Sequence, residues 1–212
     1  GKDYFDYPKS IDLIKRCLQL YTERGSLVLD FFSGSATTAH AVMQLNAEDG
    51  GNRKFIMVQL PEPTDEDSEA YKAGYMNICE IGKERISRAG EKIKEEIGLE
   101  AQNLDIGFKV FKLDTSNIRK WQPDYDNLEQ SLMDYVDNFV EGRTEFDVVY
   151  EIMLKYGLDL TYPVDEFTIA GKKVYSIGYG MLMICLDDEI TTEVPRGILA
   201  KIKELSPKAA EL

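Results

Sequence analysis

Leu27-Val-Leu-Asp-Phe-Phe-Ser-Gly-Ser-Ala-Thr-Thr-Ala-His-Ala-Val42 is the stretch that decides how this chain is read. A short apolar run ends in Asp30, turns through Ser33-Gly34-Ser35 and opens into an Ala-rich segment at helical spacing. That is the order of a strand, a glycine turn and a helix N-terminus. The unpaired N–H groups of the first helical turn then face whatever lies over the strand end. Further on, Lys54-Phe-Ile-Met-Val-Gln-Leu60 reads as a second strand. A right-handed β-α-β unit is therefore expected, with a small ligand at the carboxyl ends of its strands.

The short motif alone is compatible with an ordinary tight turn between strand and helix. It is not the dinucleotide fingerprint, which needs three glycines where only Gly34 is present, and no Gly-Lys-Ser/Thr follows to make a phosphate-binding loop. The hydroxyls of Ser33, Ser35, Thr37 and Thr38 suit a carboxylate or ribose better than a polyphosphate.

Composition narrows the classes further. A chain of 212 residues can bury a core and hold one large or two small domains. No apolar run approaches the roughly 20 residues of a membrane span. Three scattered cysteines, Cys17, Cys79 and Cys185, and the single His40 offer no zinc spacing, and the cysteines read as reduced, mostly core thiols of a cytoplasmic protein. The formal charge of −13 comprises −5 over residues 1–100 and −8 over residues 101–212, and neither part carries a basic stripe. The best cationic cluster (Lys83, Arg85, Arg88, Lys92 and Lys94) is interleaved with Glu84, Glu91, Glu95 and Glu96, and reads as a solvated, ion-paired helix face. The chain by itself is expected to bind DNA poorly.

Periodicity sets out the elements. Ser10 is a helix N-cap, with Ile11, Ile14, Leu18 and Tyr21 on one face. Strand 27–32, helix 36–46 and strand 54–60 form the β-α-β unit, and an acidic loop from Glu62 to Ser68 leads into a long helix over 69–97. Phe108-Lys-Val-Phe-Lys-Leu113 alternates as a strand. A compositional shift near Thr115–Asp126, with Trp121 and Pro123, marks a connection between residues 1–114 and 128–212. Beyond it the pattern predicts helices over 128–140 and 146–156, a hairpin over 167–177 turning near Gly171, a strand over 181–186 and a helix over 191–205.

Several motifs taken in order resemble one family. Asp30-Phe-Phe-Ser-Gly-Ser-Ala-Thr-Thr38 is similar to the S-adenosylmethionine motif of amino-group DNA methyltransferases, and Phe5-Asp-Tyr-Pro-Lys-Ser-Ile-Asp-Leu-Ile14 to the Pro-Lys-Pro segment that precedes it in their beta-type, permuted members. Asn52-Arg-Lys-Phe-Ile-Met-Val-Gln-Leu-Pro-Glu62 and Gly82-Lys-Glu-Arg-Ile86 resemble the second strand and following helix. Asp105-Ile-Gly-Phe-Lys-Val-Phe-Lys-Leu-Asp-Thr-Ser-Asn117, Gly171-Lys-Lys-Val-Tyr-Ser-Ile-Gly178 and Ile184-Cys-Leu-Asp187 resemble the modification subunit of type III restriction-modification systems, a DNA adenine-N6 methyltransferase. The sequence departs from the pattern at Ala36, where the family often has glycine, at Ser10, where it often has proline, and at Gln59, where many members place an acid. The family's catalytic Asp-Pro-Pro-Tyr signature does not occur, since no two prolines are adjacent.

The resemblance implies an α/β fold: part of a Rossmann-like methyltransferase sheet within residues 1–114, with a smaller α+β appendage over 128–212. It implies a piece of a longer enzyme that moves a methyl group from S-adenosylmethionine to adenine N6 in duplex DNA, this piece positioning the cofactor. The residues that match are Lys9 as a carboxylate partner, Asp30 to order the turn or accept from the cofactor ammonium, and Phe32 against its apolar atoms. Gly34 allows close backbone approach, Ser35, Thr37 and Thr38 hold the methionine carboxylate, and Gln59 binds the ribose. DNA, a restriction subunit and a second modification subunit are the implied partners, with a homodimer also open. Two other classes remain at this stage. One is a non-catalytic module that docks such a subunit; the other is a nucleotide-dependent oxidoreductase, which the missing glycines oppose.

Overall fold

The computed structural model describes residues 9–98, 104–120, 125–127 and 138–209 of the chain. These form two compact units, Gly1–Phe108 and Lys109–Leu212, each of mixed α/β structure. Of the helix expected over 128–140, residues 128–137 lie outside the described residues, as does Trp121.

In the first unit, α1 (Ile11–Tyr21) starts where the Ser10 side chain accepts from the Leu13 N–H, and it ends at Thr22, whose hydroxyl donates to the Leu18 carbonyl at 2.6 Å. That stop leaves Tyr21 exposed instead of on the apolar face with Leu18. Cys17 is exposed as well, not core. Strands β1 (Leu27–Asp30) and β2 (Lys54–Met57) pair in parallel, Leu27 opposite Lys54 and Asp30 opposite Met57, with α2 (Thr37–Asp49) between them in sequence. Both strands are shorter than the apolar runs that announced them. The backbone continues the approach a little further, Val58 N–H donating to the Asp30 carbonyl and Ser33 N–H to the Val58 carbonyl.

Alternation along these strands puts Val28, Asp30, Phe55, Met57 and Gln59 on the half-buried side, while Leu27, Leu29, Ile56, Val58 and Leu60 stay exposed. The covered side packs on α2. Ala39 and Met43 meet Ile86, Ala89 and Ile93 of α4 (Ile78–Ile97), and Ala41, Val42 and Leu45 meet Leu18 of α1. A buried polar pairing closes the far end. Asn46 exchanges hydrogen bonds with the backbone of Arg53, its Nδ2 to the carbonyl at 2.9 Å and its Oδ1 from the N–H at 3.0 Å. The Arg53 guanidinium forks onto Asp49 at 2.9 and 3.0 Å and donates to the Thr22 hydroxyl.

The long helix expected over 69–97 is two helices. After α3 (Glu69–Lys72) the chain breaks at Gly74, whose φ of 94° an L-residue adopts only under strain, and restarts where the Asn77 side chain accepts from the Glu80 N–H. The acidic loop is tied to that restart, Thr64 donating from its hydroxyl to the Tyr75 carbonyl and Ile78 N–H donating to the Glu62 carbonyl. Residues 108–113 do not form the expected strand, since no ladder partner reaches them among the described residues. Phe108 instead packs on the first unit's core, and Lys109 Nζ donates to the carbonyls of Leu160 and Tyr162.

In the second unit, β3 (Val164–Ile169), β4 (Lys172–Ile177) and β5 (Leu182–Ile184) form an antiparallel sheet with β4 in the middle. The two-residue turn Ala170-Gly171, both at positive φ, matches the strands' right-handed twist. Tyr175 and Ile177 pack on Val149 and Met153 of α5 (Glu145–Lys155), which a Thr144–Asp147 capping box opens. Helix α6 (Glu193–Ala209) brings Gly197 against Ile169, where a Cβ would come within 2.3 Å of the Ile169 side chain. Residues 138–140 are not helical, because Phe139 bridges Ile118. Glu151 anchors this connection, accepting from Ser116 Oγ at 2.5 Å, Asn117 N–H at 2.6 Å and Lys155 Nζ at 2.8 Å. Burial alone would raise the Glu151 carboxyl, but the bonds from Lys155, Ser116 and Asn117 win and hold it at about 2. Its stabilising effect is therefore complete above the unfolded value near 4.5 and fades as pH falls towards 2. Glu151→Gln should lower stability by about 1–2 kcal/mol at pH 7 and by less than half as much at pH 3, read as urea midpoints at the two pH values.

Candidate functional site

The turn after β1 gathers the residues that the sequence singled out. Asp30 closes the strand and its carboxylate accepts from the Thr38 hydroxyl at 2.6 Å and from the Phe32 N–H at 3.3 Å. Gly34, at a φ of 52°, donates its N–H to Gln59 Oε1 at 2.8 Å. The Gln59 Nε2 donates to the Leu60 carbonyl. The parallel register thus brings Asp30 and Gln59 to neighbouring strand ends, joined across the turn. Gly82 of α4 lies behind it, where a Cβ would sit 3.5 Å from the Gly34 carbonyl oxygen and from the Ala36 methyl.

Ala36 is the conformational oddity. It precedes α2 with φ 58° and ψ 40°, it is buried, and it has no side chain to cap the helix. An L-residue in the left-handed region costs roughly 1–2 kcal/mol relative to its preferred wells. On either side of it Ser35 and Thr37 are also buried, and Arg85 Nη1 donates to both hydroxyls, at 2.8 Å to Ser35 and 2.7 Å to Thr37. Their side chains therefore face α4, not the open side of the turn. Phe32 is 78% exposed and makes an edge contact with Phe31. Lys9 is exposed just before the α1 cap, and no hydrogen bond or ion pair ties it to the turn among the described residues.

Arg85 is the residue that charge patterning missed. Within its cluster, Arg88 pairs with Glu84 and Lys92 with Glu96 on the outer face, as expected, but Arg85 turns inward. The signal was present in the spacing, because Gly82, Ile86 and Ala89 place position 85 on the packed side of α4. Burial lowers the affinity of this guanidinium for its proton, and it has no carboxylate partner among the described residues. His40, one turn into α2, is held below its usual pKa by burial first, then by Arg85 and Lys92 against an opposing Glu96, and its buried Nδ1 has no partner among the described residues. It is a neutral packing residue at pH 7. Thr38→Val should cost about 1 kcal/mol in denaturant unfolding, because it leaves the half-buried Asp30 carboxylate without its shorter bond.

Residues 1–103 match the model of the DNA methylase family. The Mod subunit of the type III restriction-modification enzyme StyLTI of Salmonella typhimurium (strain LT2) is 45% identical over 115 residues, covering 54% of this chain and 17% of its own length. The EcoP15I Mod subunit of Escherichia coli is 32% identical over 212 residues, covering 96% of this chain and 30% of its own length. The EcoPI Mod subunit of Escherichia phage P1 is 31% identical over 203 residues, covering 95% and 30%. The chain thus spans less than a third of the length of these relatives. Residues 1–103 thus match the DNA methylase family, and the chain's resemblance to the Mod subunits of type III restriction-modification enzymes runs nearly end to end.

Proposed function

We propose that the first unit is the cofactor-positioning part of an S-adenosylmethionine-dependent DNA methyltransferase acting on adenine N6 in duplex DNA, as the modification component of a type III restriction-modification system. The observation that carries this reading is the junction of Asp30, Gly34 and Gln59 at the ends of two adjacent parallel strands, within the residues that match the DNA methylase family. Ligands of open α/β sheets bind outside the carboxyl ends of their strands, and β1–α2–β2 is then one segment of a Rossmann-like sheet.

The donor set fits such a cofactor. Asp30 keeps acceptor sites beyond the two that Thr38 and Phe32 fill, and these suit an ammonium group. Gln59 Oε1 has a second lone pair for a ribose hydroxyl beside the one that Gly34 uses. With Ala36 providing no side-chain cap, the leading N–H groups of α2 are the donors for the methionine carboxylate, and Lys9 is a charged partner from the preceding segment. Ser35 and Thr37 act through backbone and shape, since Arg85 engages their hydroxyls, and Thr38 acts by steadying Asp30. The exposed Phe32 ring is available to apolar atoms of the ligand. S-adenosylmethionine supplies the sulfonium methyl group. The groups that would grip a flipped adenine are not encoded in an Asp-Pro-Pro-Tyr signature here.

In the whole enzyme the second unit is a protein-contacting part, facing a restriction subunit or a second modification subunit, with a homodimer of this chain as the lesser arrangement. Its support is charge. Residues 101–212 carry −8, which repels phosphate and suits basic protein surfaces.

Calorimetric titration of the 212-residue chain with S-adenosyl-L-homocysteine should show binding that Gln59→Ala weakens about tenfold, and titration with NAD should show none. Labelled S-adenosylmethionine and duplex DNA should give no methyl transfer by this chain alone; turnover free of contaminating enzyme would sink the assignment of its part in the reaction. Removing residues 128–205 from the whole enzyme should impair subunit assembly more than DNA affinity, measured by sedimentation and by filter binding. Loss of specific DNA binding with assembly intact would refute the role given to the second unit.

A further inference from the structure

We propose that Arg85 is the positioning residue of the glycine turn, spanning Ala36 and holding this alanine in the left-handed conformation that a glycine would adopt unaided. Its effect on ligand affinity rests on the reading of the turn as the cofactor edge; its effect on the turn itself does not.

The geometry is specific. A single nitrogen, Arg85 Nη1, donates to the hydroxyls of Ser35 and Thr37, the residues on either side of Ala36. Two side chains separated by one residue are thus drawn to a single point, and rotation of Ala36 out of the left-handed well would carry at least one of them off that nitrogen. Gly82, one turn earlier on α4, faces the same turn, and a Cβ there would lie in ordinary van der Waals contact with the Ala36 methyl at 3.5 Å. The turn in its present shape also forms two backbone bonds across Ala36: its N–H donates to the Ser33 carbonyl at 2.8 Å, and its carbonyl accepts from the His40 N–H at 3.3 Å. An arginine serving only to tether α4 would be expected on a carboxylate, as Arg88 and Lys92 are. Arg85 is half-buried without one among the described residues, so the two hydroxyls are the partners that satisfy it.

The test is an epistasis measurement on the full 212-residue chain. Arg85→Met should speed hydrogen exchange at the Ala36 and His40 amides about tenfold and weaken S-adenosyl-L-homocysteine binding by a similar factor. Ala36→Gly alone should change little, and Ala36→Gly added to Arg85→Met should bring both readouts back to within about threefold of the parent. A helix that had merely lost packing would not be repaired by a glycine in another element. If Arg85→Met does not fold, the pair Ser35→Ala with Thr37→Val removes the acceptors from the other side and should show the same rescue by Ala36→Gly. Unchanged exchange in the Arg85→Met variant, or a double variant as impaired as the single, overturns the proposal. Exchange that follows the expected pattern in a chain that binds no S-adenosyl ligand leaves the clamp standing and removes the cofactor reading. Ligand binding with unaffected exchange does the reverse.

Discussion

The exchange of hydrogen bonds between the Asn46 side chain and the Arg53 backbone is the constraint on which the first unit depends. Two parallel strands alone bury too little to hold a register. Asn46 sits on α2 and Arg53 immediately precedes β2, so their buried pairing fixes where β2 starts relative to the helix that covers it. With that start fixed, Phe55, Met57 and Gln59 face the covered side and Gln59 reaches the Gly34 N–H. A slip of one residue would turn Gln59 to the open face and leave Gly34 without its acceptor. Because Asn46 exchanges both its donor and its acceptor with the Arg53 backbone, while Asp49 and Thr22 satisfy the guanidinium, the constraint is polar yet leaves the groups that form it paired.

Much of this was legible in the sequence where a local rule and the tertiary environment agree. The strand–turn–helix order after Leu27, the Ser10 cap, the helix over Glu145–Lys155 and the hairpin at Ala170-Gly171 all follow from period, cap or turn chemistry. Reading failed where a strong period ran through a breaker or lacked a partner. The apolar spacing of residues 69–97 looked continuous, yet Gly74 and the Asn77 cap divide it. The alternation at 108–113 has the form of a strand, and strands need a neighbour that this segment does not have among the described residues.

The candidate site was legible as a place more than as a set of roles. Asp30, Gly34, Thr38 and Gln59 converge as the order of elements implied. The burial of Ser35 and Thr37 under Arg85 was not readable from residue types, because a serine beside a glycine turn looks the same whether its hydroxyl faces ligand or core. Arg85 itself was hidden by its company. Five cations among four acids suggested an outward face, and only the position of Gly82, Ile86 and Ala89 on the same stripe separates the inward arginine from its solvated neighbours.

The two sheets also differ in how soon each can form. In the second unit β3 and β4 are joined by two residues, so their pairing closes a minimal loop and belongs to the microsecond class of hairpin events. In the first unit Leu27 meets Lys54 only after all of α2 has been traversed, and parallel pairing of that kind is intrinsically slow. Helix α2 is an unpromising nucleus by itself, starting from a left-handed alanine with no cap. The first unit is accordingly expected to order late, with α2 gaining its structure together with the strands instead of ahead of them. Variants that disturb the Gly34 turn would then act on the rate of folding as well as on the folded state.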